Sequence, residues 1–241
     1  MLIKTRGIVL RAIKYSETSF ILDIYTEAKG LRSYIVSGVR TKKSKVSAGL
    51  MQLMSLVDMV AYHRDDKDLL RIREIKAAHI YQKLPFEIDR SSIGMFMIEL
   101  VRKSIREVEQ NPLLFAYLFE SFRYLDNSSH SVANLHLQFA VELTAFLGFI
   151  PGGDHSAETP IFDMQEGQFM PDASSHHYYM DEQSSELLGQ FLTSDLQHCH
   201  LIKLKRSQRR KFLHDLLSYY RLHIENFASM NTLSVLEDLF E

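Results

Sequence analysis

The chain of 241 residues is 46% hydrophobic and 24% charged with a formal net charge of −2, which supports a sizeable core and excludes a disordered chain. Its single cysteine, Cys199, excludes an intramolecular disulfide and a four-cysteine zinc site. Charges break every long apolar run, so the sequence predicts no signal peptide and no membrane helix of about 20 residues, and a reducing, cytoplasmic setting is expected. The charge is unevenly spread. Residues 1–50 hold ten Lys and Arg against three acids, and the remainder holds 18 against 27. Such asymmetry predicts a polyanion-facing N-terminal part on a more acidic body.

Residues 1–80 read as β structure. Thr5–Ile13 is rich in Ile, Val and Leu, and Phe20–Thr26 alternates strongly. Gly30 ends a hairpin connection, Leu31–Ser37 is a third strand, and Ser55–His63 and Leu69–Ala77 are a fourth and fifth. Alternation puts Arg32, Tyr34 and Val36 on one face of the third strand, and Leu70 and Ile72 opposite Arg71 and Arg73 in the fifth. Five short strands crossed by one longer connection predict a small closed barrel such as an OB-fold, with another five-stranded topology open on periodicity alone.

Near residue 85 the apolar period becomes helical. Ser91–Val108 carries a stripe of Ile93, Met97, Leu100, Val101 and Ile105. Asn111 caps a helix that starts at Pro112 and buries Leu114, Leu118, Phe122 and Leu125. Val132–Leu147 is apolar on most sides and reads as the central helix, stopped by Gly148. Residues 149–183 form an irregular insertion with short strands near Thr159–Met164 and His177–Met180. Helices resume over Ser184–Leu192 and over Gln208–Phe227, the latter capped by Ser207, with a last turn at Ser234–Phe240. The expected division is a barrel over 1–80 and a helical domain over 81–241.

The chemistry-bearing residues are mostly cations. Lys4, Arg6, Arg11, Lys14, Arg32, Arg40, Lys42, Lys43 and Lys45 suit a phosphate backbone. Tyr34, with Tyr15 and Tyr25, can offer rings for base stacking, although buried tyrosines are ordinary in a barrel. A second cluster, Lys203, Lys205, Arg206, Arg209, Arg210 and Lys211, opens the last long helix, where cations oppose the helix dipole. It suits an acidic peptide tail or a second DNA strand, against the alternative of a solvated face. His155, His176, His177, His198 and His200 show no standard metal-ligand spacing, and no metal or other cofactor is expected. No nucleophile–base pattern or phosphate loop is present, so no enzymatic activity is expected.

Several short runs together resemble the RecO family: Arg6-Gly7-Ile8-Val9-Leu10-Arg11, Tyr15-Ser16-Glu17, Tyr25-Thr26 with Lys29-Gly30, and Val36-Ser37-Gly38-Val39-Arg40. Leu69–Glu74 and Leu147-Gly148-Phe149 extend the likeness. The resemblance implies an α+β chain with an N-terminal five-stranded OB-fold barrel and a helical C-terminal domain. It implies a bacterial, nucleoid-associated recombination mediator in DNA repair that binds single- and double-stranded DNA and anneals single strands. It also implies contacts with RecR and with the acidic C-terminal tail of single-stranded DNA-binding protein, so that RecA can load. In many relatives the insertion carries four zinc-binding cysteines. Residues 149–183 contain none, so the module here reads as cysteine-free and degenerate. A protein-interaction adaptor and an RNA-binding barrel are the alternatives.

Overall fold

The first five strands are β1 (Leu2–Lys14), β2 (Ser19–Thr26), β3 (Gly30–Ser37), β4 (Leu56–Tyr62) and β5 (Leu69–Ala77). They close into a barrel in the order β1-β2-β3-β5-β4, antiparallel except for the parallel β3–β5 pair. This computed structural model describes residues 1–39, 48–64, 66–105, 109–173 and 175–239. Arg40, Lys42, Lys43 and Lys45 therefore lie outside the described residues, as does the expected helix end at Val108.

The long β1 makes closure possible, because its first half pairs with β4 and its second half with β2. One row of neighbours runs Leu2, Tyr62, Arg71, Ile35, Ile21, Ile13, returning to β1 eleven residues further on. One of the eleven is Leu10, the extra residue of a β-bulge. Such a stagger tilts the strands steeply and narrows the barrel until side chains fill it. Five strands with β3 beside β5 make the OB-fold arrangement. Val9, Leu22, Ile24, Tyr34, Val36, Met59, Leu70 and Ile72 are among the side chains that fill it. Gly7 lies where the wall is tightest: a Cβ there would come within 2.5 Å of Ile24 Cγ2.

The chain divides into two compact units. The first joins Met1–Phe86 to Arg106–Asn127, so helix α2 (Pro112–Asn127) belongs with the barrel. Asn111 caps it, its Oδ1 accepting the Leu114 N–H at 3.0 Å. Phe115 stacks on Tyr25 of β2 with ring centroids 6.4 Å apart. At the other end Asp126, fully buried, accepts from the backbone N–H groups of Gln82, Lys83 and Leu84 at 2.8–3.1 Å. The His79 ring joins it at 3.0 Å. Burial opposes the charge, but the Leu84 and Lys83 N–H groups and the His79 ring outweigh it and hold this carboxyl below its ordinary range.

The second unit joins Glu87–Ile105 to Ser128–Glu241. It contains α1 (Ile88–Ser104), α3 (Leu135–Leu147), α4 (Glu182–Leu192), α5 (Arg206–His223) and α6 (Leu233–Leu239). Helix α3 is buried on nearly every side and ends at Gly148, whose φ of 84° is left-handed. Gln138 and Asn134 donate to the backbone carbonyls of Phe191 and Ser194 and of Cys199 and Ile202, tying the start of α3 to the end of α4 and the segment after it. Asp181 caps α4 through the Ser184 N–H at 2.9 Å. Helix α5 begins two residues before the expected Gln208 and ends at His223 instead of Phe227. Ser207 lies inside it and Gln208 Oε1 accepts the Lys205 N–H at 2.8 Å, so the hydroxyl is not the cap.

The insertion forms a three-stranded sheet in the order β7-β6-β8, from β6 (Ile161–Asp163), β7 (Gln168–Met170) and β8 (Tyr179–Met180). With no thiolates to hold it, Phe162 is packed edge-on against Phe169 and Tyr219 at 5.1 and 5.3 Å. Buried Asp163 accepts from the Gln165 and Glu166 N–H groups and pairs with His176 at 3.2 Å. His176 Nδ1 accepts the Tyr178 N–H, so its Nε2 carries the proton toward Asp163. Tyr178 and Tyr179 stay partly exposed and contribute little to that core.

Candidate nucleic-acid interface

In the barrel unit the register decides which cations meet. Lys14 sits opposite Phe20, which sits opposite Val36, so the end of β1 and the end of β3 share one rim. The chain then turns at Gly38, with φ of 79°, and Val39 N–H donates to Thr18 O at 2.9 Å. Val39, the last described residue before Arg40, Lys42, Lys43 and Lys45 in the sequence, is thus held beside the β1–β2 hairpin. Tyr15, on that hairpin, is 66% exposed, and Lys14 is exposed without an ion pair among the described residues. Ile13 is exposed on the same rim, and its row continues through half-buried Ile21 and Ile35 to Arg71 and Tyr62.

Other expected residues have different work. Tyr34 is fully enclosed in the barrel core, because its parity is that of Val36 and it points inward; its ring cannot stack on a base from there. Tyr25 is buried beneath Phe115. Arg6 makes a two-pronged pair with Glu27 at 2.8 and 2.9 Å. Its guanidinium also lies 5.5 and 4.9 Å from the centroids of Phe115 and Phe119. The Glu27 hydrogen bond raises the Arg6 pKa, and the same bond lowers that of Glu27. Arg11 pairs with Asp23, which also accepts from Ser33 Oγ. Arg32 is half-buried and donates to the Leu31 carbonyl. Lys4 faces β4 and β5 in a cavity of about 750 Å³ that mixes Arg73 and Lys76 with Asp58 and Glu74. Arg71 and Tyr62, exposed beside the Ile13 row, are additions that spacing did not single out; only the strand register brings them there.

In the second unit the cationic cluster opens α5. Lys203, Lys205 and Arg206 are exposed and form no ion pair among the described residues. Lys211 is neutralised by Asp215 at 2.8 Å and Asp181 at 3.2 Å, and Arg210 by Glu237 at 3.0 Å. Arg209 bonds Asn134 Oδ1 at 3.2 Å, and burial, with Arg206 nearby, lowers its pKa. Two cavities of about 500 Å³ flank it. One is lined by His136, Arg206, Arg210 and Leu213, the other by His200, Lys203, Lys205 and Gln208. Burial, reinforced by Arg209, pushes the His136 imidazole down to about 3, so that ring is neutral and serves as cavity wall. Cationic rims over apolar floors suit an anion with an apolar part.

Comparison with known proteins agrees with both halves. Residues 1–81 match the family model described as Recombination protein O N terminal, and residues 85–230 that described as Recombination protein O C terminal. The chain belongs to the RecO family. Relatives named DNA repair protein RecO include that of Christiangramia forsetii, 38% identical over 241 residues, and that of Phocaeicola vulgatus, 35% identical over 240. A third, from Bacteroides fragilis, is 36% identical over 243 residues, and all three comparisons span 100% of both chains. This RecO family member has no helix among its described residues long and apolar enough to cross a membrane. Its lone cysteine, buried and with a thiol pushed up to about 12 by burial, lies outside the insertion, so a four-thiolate zinc site cannot be assembled there.

Proposed function

We propose that this chain is a non-enzymatic recombination mediator in DNA repair, acting in the bacterial cytoplasm at the nucleoid. It binds single- and double-stranded DNA, anneals complementary single strands, and helps load the RecA recombinase onto DNA coated with single-stranded DNA-binding protein. The observation that carries the reading is the shared rim: Lys14, exposed Tyr15 and the departure point of the Arg40–Lys45 stretch. Cations there capture phosphates and release counterions, while a ring can stack on an unpaired base. Neutralising two backbones lowers their mutual repulsion, and annealing follows. Lys4 extends the cationic surface, Arg11 and Arg32 add less to it because Asp23 pairs with the first and the second is half-buried, and Arg6 and Tyr34 hold the barrel together.

The α5 cavities support a second contact, with the acidic tail of single-stranded DNA-binding protein; RecR is the further partner the family suggests. The test is a fluorescence titration of labelled single-stranded DNA at several salt concentrations. Changing Lys42, Lys43 and Lys45 together to Ala should weaken binding and flatten the salt dependence by about 0.7 per lost phosphate contact. Unchanged affinity and slope reject the interface. A matched RNA competing equally well would turn the reading toward a general single-strand binder.

A further inference from the structure

The chain's own C-terminal segment carries the chemistry that the α5 cavity suits. Helix α6 reads Leu-Ser-Val-Leu-Glu-Asp-Leu and is followed by Phe240 and Glu241 in the sequence. Leu236 is its one buried side chain, and Leu236 and Glu237 line the cavity with Arg206, Arg209 and Leu213. Glu237 Oε1 accepts from Arg210 Nε at 3.0 Å and pairs with His214 Nε2 at 2.6 Å. An apolar residue on the floor and a carboxylate on the cationic rim are what an acidic peptide with an apolar anchor would supply.

Besides Leu236 and the Glu237 pairs, the hold on this segment is a polar anchor at its start. Glu99 of α1 accepts from the N–H groups of Asn231 and Thr232 at 2.8 Å and from the Thr232 hydroxyl at 2.7 Å. Lys103 pairs with Glu99 and donates to the Ser229 carbonyl. A seven-residue helix has almost no stability of its own, so its closed position rests on these few contacts.

We infer that α6 is a displaceable strap: its Leu236 and Glu237 close one side of the cationic cavity of α5 and take up Arg210 and His214, and it competes for those groups with an acidic, apolar-anchored peptide from a partner. This rests on the reading of the α5 cavity as a peptide site. DNA could neutralise the same arginines, but it would leave unused the apolar surface that Leu236 covers. A tethered competitor present most of the time lowers apparent affinity by the fraction of open protein.

The probe is a fluorescein-labelled peptide of residues 231–241, added to the full chain and followed by anisotropy. Glu237→Gln should bind it about tenfold more tightly than the unaltered protein, for a strap closed about nine-tenths of the time. Removing an acid near arginines could also raise the local potential. Glu99→Gln, which loosens the anchor without lining the cavity, should therefore tighten binding to a similar degree. Hydrogen exchange at residues 233–239 should quicken when peptide is added. Peptide binding that is equal in all three proteins overturns the strap and leaves the cavity reading standing. An absence of peptide binding in every protein overturns both. Tighter binding of a labelled oligonucleotide, without a change for the peptide, overturns the peptide as the competitor.

Discussion

Replacing Asp126 with Ala tests how the segment after the barrel is fixed to α2. The carboxylate accepts three backbone N–H groups and one ring nitrogen. These donors do not lose equally. Leu84 is buried, so its N–H would lose a partner without gaining water, at about 1–3 kcal/mol. Gln82 is exposed and Lys83 is half-buried, so both can turn to solvent at smaller cost. The total expected is about 2–4 kcal/mol, or a fall in the urea midpoint of about 1–2 M for a slope near 2 kcal/mol/M. Asp126→Asn should lose about half as much, because Oδ1 can still serve Lys83 and Leu84 while the amide presents donors to Gln82 and His79. Urea unfolding by circular dichroism gives the size, and hydrogen exchange at residues 82–84 gives the place. The pH dependence has a fixed sign. Asp126 has a folded pKa below its unfolded value, so its contribution is complete above the ordinary carboxylate pKa of about 4 and is lost as pH falls through the folded value. The gap between the unaltered protein and Asp126→Asn should be flat from pH 5 to 8 and narrow below about pH 4. A midpoint within measurement error of the unaltered protein, with protection at 82–84 retained, would refute the clamp.

Tyr15→Ala should weaken single-stranded DNA binding by about 1–3 kcal/mol in a titration and leave thermal stability unchanged. Tyr34→Ala should do the reverse, lowering stability by about 3–5 kcal/mol in denaturant unfolding, since it empties the barrel core. Gly7→Ala forces a Cβ against Ile24 and should cost about 1–3 kcal/mol by the same measurement. Glu99→Gln should remove a contribution that is complete above pH ~4.5. Burial alone would raise this carboxyl, but Lys103 and the Asn231 and Thr232 donors bring it down to about 2, so the benefit fades as pH falls toward 2. Exchange rates at residues 231–236, compared at pH 6 and pH 3, check it.

Strand alternation was strong enough to reveal all five barrel strands, and β5 runs from Leu69 to Ala77 as the pattern implies. The parallel β3–β5 pairing was not visible, because periodicity records which face a residue takes and not which strand lies beside it. Strand β7, between the two expected short strands of the insertion, was not anticipated; with three residues it has too few positions for an alternation of its own. Helix α2 is the more instructive case. Its stripe of Leu114, Leu118, Phe122 and Leu125 reads like that of any amphipathic helix, yet the rings that meet Arg6 and Tyr25 are Phe115 and Phe119, beside that stripe. Sequence spacing shows that a face is apolar and not which side chains it meets. The candidate interface was half legible for the same reason. Charge placed it at the N-terminus, but only the register separates Lys14 and Tyr15 on the rim from Arg6 against its rings and Tyr34 in the core.

The ring of β1 to β5 is sealed unevenly: three residue pairs, Ser33–Ile35 beside Leu69–Arg71, join β3 to β5, whereas each other seam runs over six pairs or more. A visiting segment can therefore extend this head's sheet only along the rest of that seam, by the route that many recognition modules use. Elsewhere, whatever associates with it does so through side chains on the outer wall or through the connections at its two mouths. Inhibitory peptides designed as extra strands should accordingly act at β3 and β5 or not at all, whereas changes in the length of those connections should alter its choice of companions.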